Sequence, residues 1–115
     1  MVLYGISNCD TIRKAKKWLS AQGVDYQFHD FRKDGLEPAL LKKWAKQAGW
    51  EVLLNKRGTT WRKLPEDVRN HINESSAIDM MLELPTMIKR PVLVNSKNIL
   101  IGFNEEQYKQ FILNK

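Results

Sequence analysis

One cysteine, Cys9, and two histidines, His29 and His71, are the whole supply of thiol and imidazole in a chain of 115 residues. A single thiol cannot close an internal disulfide, so the chain is not a cysteine scaffold of the kind small secreted domains use. No Cys-x-x-Cys pair is present, and neither histidine has a partner at metal-ligand spacing, so no metal is expected. The sequence also lacks Gly-x-Gly-x-x-Gly and Gly-x-x-x-x-Gly-Lys-Ser/Thr, which removes the usual nucleotide-binding loops, and no bound cofactor is expected. No apolar run approaches the length of a membrane span, and residues 1–6 are too short a run for a signal peptide. The expectations are no membrane association and a cytoplasmic location. Internal repeats, low-complexity tracts and polar interdomain linkers are missing as well.

What is present suffices for one packed core: 43% of the residues are apolar and 10% aromatic. A single domain over residues 1–115 is the expectation. The formal net charge is +6, but the acidic residues are interspersed and the lysines lie along helical stretches as solvated surface, so no direct nucleic-acid partner is expected.

Residues 2–6 form a short apolar run closed by the turn-prone Ser7-Asn8 pair, which predicts a buried first strand. From Cys9 the period changes: Ile12, Ala15, Trp18, Leu19 and Gln22 fall at helical spacing, with Arg13, Lys14, Lys16 and Lys17 between them and Gly23 as the stop. Residues 24–31 alternate apolar and polar, which predicts a second strand. Residues from about 37 to 84 are helical in pattern. Leu40, Leu41, Trp44 and Ala48 run to Gly49, Pro65 suits the first turn of another helix, and Ser75 or Ser76 caps a further one ending at Leu84. Val92-Leu93-Val94 and Ile99-Leu100-Ile101 flank the turn Asn95-Ser96-Lys97-Asn98 as a hairpin. Asn104 caps a closing helix with Tyr108, Phe111 and Ile112 on one face. The order is β-α-β, a helical insert expected to pack as a lid on the sheet, then β-β-α. Trp18 and Trp44 fit the apolar stripes of their helices, and Trp61, near Arg57 in sequence, is a candidate for lining a cleft.

Cys9 sits where a strand ends and a helix starts. That junction aims backbone N–H groups and the positive end of the helix dipole at the sulfur, and the thiolate is the reactive form of cysteine. Arg13, four residues on, returns to the same helix face and adds a permanent charge. Lowering a thiol from about 8.5 to about 6.5 requires roughly 2.7 kcal/mol, whereas an exposed helix terminus supplies under about 1 kcal/mol. Arginine must contribute the remainder.

Three stretches, Ser7-Asn8-Cys9-Asp10-Thr11-Ile12-Arg13, Leu53 through Leu64, and Ile88-Lys89-Arg90-Pro91-Val92, together resemble the ArsC/Spx family, in particular its YffB-like branch. The resemblance spans essentially the whole chain and rests on the Cys-x-x-x-Arg and Arg-Pro elements at this separation. It implies an α/β, thioredoxin-like fold, a mixed β-sheet with flanking helices, carrying a helical insertion between its β-α-β and β-β-α halves. It further implies a nucleophilic Cys9 with Arg13, Arg57 and Arg90 converging on it to bind an anionic group, with Asn8, Thr11 and Pro91 shaping the site. A cis peptide before the proline of the Arg-Pro pair is a family trait, here the Arg90–Pro91 bond.

Three departures bear on the activity. The family's arsenate reductases carry a histidine four residues before the cysteine, where this chain has Gly5. They also carry an arginine in the final hairpin, where it reads Ile101-Gly102-Phe103, so part of their anion site has no counterpart. Spx regulators commonly have a Cys-x-x-Cys switch, and Ile12 takes the second position here. The implied activity is thiol-dependent reduction of a disulfide or small oxyanion by Cys9. A mixed disulfide on a lone cysteine can be resolved only by an outside thiol, for which glutathione is the expected co-substrate. The alternative is an Spx-like module that binds RNA polymerase without an intramolecular redox switch.

Overall fold

The structure, a computed structural model, describes residues 1–7 and 9–113. In chain order its elements are β1 (Val2–Gly5), α1 (Asp10–Ala21), β2 (Gln27–Asp30), α2 (Pro38–Ala48), α3 (Trp50–Leu53), α4 (Thr59–Arg62), α5 (Glu66–Asn70), α6 (Glu74–Glu83), a 3₁₀ turn (Pro85–Met87), β3 (Val92–Val94), β4 (Ile99–Ile101) and α7 (Glu105–Leu113). The chain divides into two compact units, one of residues 1–35 with 90–115, the other Leu36–Lys89.

The first unit holds a mixed four-stranded sheet in the order β2-β1-β3-β4, the arrangement expected of the thioredoxin-like class. β1 runs parallel to β2, with Gly5 opposite Asp30, and antiparallel to β3, with Tyr4 opposite Val92. β3 and β4 form the expected hairpin, its turn closed by the Asn95 N–H on the Asn98 carbonyl at 3.0 Å. Leu3 and Leu93 face each other across the β1–β3 ladder and are buried with Ala15 and Leu19 of α1 and Tyr108 of α7. The two helices therefore cover one face of the sheet, as the spacing of their apolar residues requires. Gly23 follows α1 with φ 70°, a conformation that glycine adopts without steric cost. Asn104 caps α7 by accepting the Gln107 N–H at 3.0 Å.

The second strand is shorter than its alternation suggests. β1 offers a ladder only from Val2 to Gly5, so pairing begins at Gln27. Val24 and Tyr26 keep the alternation by packing on the core, while the Val24 N–H closes the end of α1 on the Leu19 carbonyl.

In the second unit α2 ends at Gly49, whose φ is 91°. Leu41 and Trp44 of α2, Leu53 of α3 and Ala77 and Met81 of α6 are buried. The cap of α6 is Asn73, in place of the expected Ser75 or Ser76. Its Oδ1 accepts the Ser76 N–H at 2.9 Å, and the Ser76 Oγ accepts the Asn73 N–H at 3.0 Å, so Ser76 is the reciprocal partner. An isolated antiparallel bridge joins Leu54 to Ile88, and the Asn55 and Lys89 N–H groups bond the Met87 and Leu53 carbonyls, each at 2.7 Å. No helix among the described residues is long and apolar enough to cross a membrane.

Candidate functional site

Strand direction decides which side chains gather at one end of the sheet. β1 leaves toward Cys9 at its C-terminal end. β2 is parallel to it, so Asp30, the last residue of β2, lies at that same end. β3 is antiparallel, so its entry, Arg90-Pro91, arrives there too. Cys9, Asp30 and Arg90 are far apart in sequence and become neighbours of one sheet end through ladder register alone.

Cys9 is the N-cap residue of α1, in extended conformation, and is partly buried. Its carbonyl accepts the Arg13 N–H at 3.0 Å, the first bond of the helix. The sulfur closes no cap hydrogen bond of ordinary geometry; it lies within electrostatic reach of the first-turn N–H groups. Partial burial pushes the thiol up, yet the Ile12 N–H, the Arg90 side chain, the Thr11 N–H and the Arg90 charge together outweigh it. The net result is a thiol held below its ordinary value. The Arg90–Pro91 peptide is cis, and the Pro91 carbonyl accepts the Gly102 N–H at 2.8 Å.

The other expected site residues fall as follows. Thr11 contributes its backbone N–H to the sulfur. Arg13 forms an exposed ion pair with Asp10, one turn before it on the same helix, and is not among the groups that hold the thiol down. The spacing that aims position 13 at Cys9 aims it equally at Asp10, whose carboxylate is the nearer charge along the helix. Arg57 belongs to the second unit, exposed in the turn before α4, where its N–H bonds the Asn55 Oδ1 at 3.2 Å. In that unit Trp61 is buried and the Lys56 ammonium lies 5.6 Å from its ring centre. Asn8 lies outside the described residues.

Sequence reasoning passed over Asp30. It is a buried carboxylate, 4% exposed, accepting the Ser7 N–H at 3.1 Å and the Arg32 N–H at 2.8 Å. Burial pushes it up, but hydrogen bonds from Arg32, Ser7 and Lys33 prevail and keep it below the usual carboxylate range. Its only signal in the sequence is an aspartate closing an alternating strand, which reads as a turn former.

Gly5 occupies a buried position on β1. A Cβ there meets the Ile12 side chain, with Cγ1 at 2.9 Å, and Ile12 is itself fully buried. Any side chain at position 5 therefore requires the Ile12 side chain in the first turn of α1 to move. Among the described residues no cluster of His, Cys, Asp or Glu has the makings of a metal site. A groove of about 460 Å³ between β4 and α7 is lined by Ile99, Leu100 and Phe111 among others, and includes neither Cys9 nor Arg90.

Comparison with known proteins identifies the family and the fold. The chain is 46% identical over 109 residues to an uncharacterised protein of Haemophilus influenzae, covering 95% of this chain and 96% of that one. A global transcriptional regulator, Spx 1 of Lactococcus lactis, is 31% identical over 113 residues, covering 96% of this chain and 87% of the relative. Among solved structures, the YffB protein superposes with a TM-score of 0.90 at 44% identity, covering 95% of this chain and 96% of the other. An arsenate reductase (ArsC) related protein of Brucella melitensis superposes with a TM-score of 0.81 at 48% identity, covering 96% and 92%. Residues 4–111 match the ArsC family, and the chain belongs to it.

Proposed function

We propose that the protein is a thiol-dependent reductase in which Cys9 is the nucleophile and glutathione the second thiol. The observation that carries this reading is the sulfur at the start of α1 with the Arg90 guanidinium and two backbone N–H groups acting on it, which favours the thiolate. With a glutathione mixed disulfide as substrate, the Cys9 thiolate attacks the glutathionyl sulfur. The S–S bond breaks, and the substrate thiolate leaves and takes a proton from water. Cys9 is then joined to glutathione. A second glutathione, as thiolate, attacks that sulfur, releasing glutathione disulfide and restoring the Cys9 thiolate. In sum one glutathione thiol is oxidised as the substrate thiol is released, the mixed disulfide being exchanged for glutathione disulfide, and no second protein cysteine is needed. The lone thiol supports this external resolution, because the chain has no internal partner. Arg13 and Arg57 are assigned by family resemblance to the anionic part of the substrate.

The test is turnover of a glutathione mixed disulfide with glutathione and glutathione reductase, followed by NADPH consumption, in wild type and Cys9→Ser. Activity above the uncatalysed rate that vanishes in Cys9→Ser supports the mechanism. Full activity in Cys9→Ser sinks it.

A second reading, a module that binds RNA polymerase, is favoured by the Spx regulators among the relatives. Capture of stoichiometric RNA polymerase on the immobilised protein, with no turnover of mixed disulfides, decides for it. Since Ile12 replaces the second switch cysteine, such binding would not be governed by an internal disulfide.

A further inference from the structure

Asp30 is the buried charged side chain among the described residues, and the mechanism above gives it nothing to do. A carboxylate out of water is costly unless its oxygens are matched by donors. Here they are divided between two pieces of chain. One oxygen, Oδ1, takes the N–H groups of Arg32 and Lys33 at 2.8 and 3.3 Å in the turn that follows β2. The other, Oδ2, takes the Ser7 N–H at 3.1 Å, two residues before the nucleophile.

The turn side is braced independently: the Asp30 N–H donates to the Asp34 Oδ2 at 3.0 Å, and the Asp34 N–H to the Asp30 carbonyl at 2.8 Å. The His29 ring nitrogen Nε2 meets the Gly35 carbonyl at 2.7 Å. The carboxylate is thus fixed from its own side and holds Ser7 from a rigid base. The Phe31 N–H on the Gly5 carbonyl, at 2.9 Å, continues the β1–β2 ladder up to this point. Ser7 is consequently held by Asp30, and Cys9 by the first helical hydrogen bond.

We infer that Asp30 is a positioning residue for the nucleophile: by clamping the Ser7 N–H it fixes the short loop that presents the Cys9 sulfur to the first-turn N–H groups of α1 and to Arg90. The inference rests on Cys9 being the reacting group. Asp30→Asn is the near-isosteric probe. Its amide oxygen can still serve Arg32 and Lys33, while its NH₂ then faces the Ser7 N–H, donor against donor, and leaves the Ser7 hydroxyl as the one remaining tether, which weakens the clamp.

The readout is the pH midpoint of Cys9 alkylation by iodoacetamide, taken well below each variant's melting temperature. Loss of alignment with one N–H donor raises the midpoint by about half a pH unit or more. Loss of a negative charge acting only through space lowers it, so the direction of the shift separates position from charge. Asp34→Ala, which removes the acceptor of the Asp30 N–H and loosens the turn but leaves Ser7 held, is expected to leave the midpoint in place. An upward shift confined to Asp30→Asn is the expected result. A melting temperature that falls while the midpoint stays, or a downward shift, overturns the inference and leaves the Cys9 reading intact. A wild-type midpoint at or above that of an ordinary thiol overturns both. Should Asp30→Asn fail to fold, Ser7→Pro, which deletes both the N–H and the hydroxyl that bond Asp30 and keeps the carboxylate, takes its place with the same expected rise.

Discussion

Replacing Arg90 by alanine removes the side chain whose hydrogen bond and charge act on the Cys9 sulfur. A hydrogen bond to a charged group contributes about 1.5–3 kcal/mol net. Cys9 is only partly buried, so water screens the contact and the lower end applies. Taking about 1.4 kcal/mol gives a rise of about one pH unit in the thiol midpoint. Two consequences of opposite sign follow in an alkylation assay run across pH. Below both midpoints the thiolate fraction falls about tenfold. Above them the more basic thiolate is intrinsically faster, by about threefold for a Brønsted slope of about 0.4–0.5. The two rate profiles must therefore cross, Arg90→Ala slower by about threefold in acid and faster by about threefold on the plateau. Arg90→Lys keeps the charge but loses the planar fork, and falls between them. Arg13→Ala is the control: its guanidinium is paired with Asp10, and removing it leaves the midpoint close to wild type. An Arg90→Ala profile that scales uniformly, without a crossing, would mean that the arginine affects access to the thiol and not its ionisation.

Two further outcomes test the surroundings of the site. Gly5→Ala drives a Cβ into the side chain of buried Ile12 and is expected to cost about 1–3 kcal/mol as an overpacking change. The double variant Gly5→Ala/Ile12→Ala should be less destabilised than the sum of the singles in urea unfolding, and strict additivity would refute the contact. The depressed Cys9 thiol also has a stability signature with a definite sign. A group whose folded value lies below its unfolded value, about 8.5, stabilises fully above the unfolded value and loses that contribution as pH falls through the folded one. The melting-temperature advantage of wild type over Cys9→Ser should therefore grow from about pH 6 to about pH 9, and an advantage that shrinks over that range contradicts an ionised Cys9.

The elements that could be read from sequence are those whose energetics are local and periodic. α1 and α7 announce themselves by stripes such as Ile12, Ala15 and Leu19 and by a cap such as Asn104, because each depends on residues within one or two turns. α3, α4 and the 3₁₀ turn escape that reading, since three or four residues are too few to establish a period. The cap of α6 shows a finer failure. Two serines and an asparagine all offer oxygens, and only the backbone decides that Asn73 accepts while Ser76 reciprocates. The same division runs through the site. Cys9 is visible as a strand-to-helix junction, and the pull of the first-turn N–H groups follows from that alone. Arg13 is visible for the same local reason, but i to i+4 spacing does not register the carboxylate at Asp10 with which it pairs. Arg90 and Asp30 carry no local signal, because what brings them to Cys9 is sheet direction, β3 antiparallel and β2 parallel to β1. Family resemblance supplied Arg90 by matching a motif whose cause is this topology. Asp30 lies outside the matched motifs and emerges only from its hydrogen bonds. A substitution that shifts the β1–β3 register by one residue should therefore disable Arg90 while leaving every residue of the Cys-x-x-x-Arg motif in place.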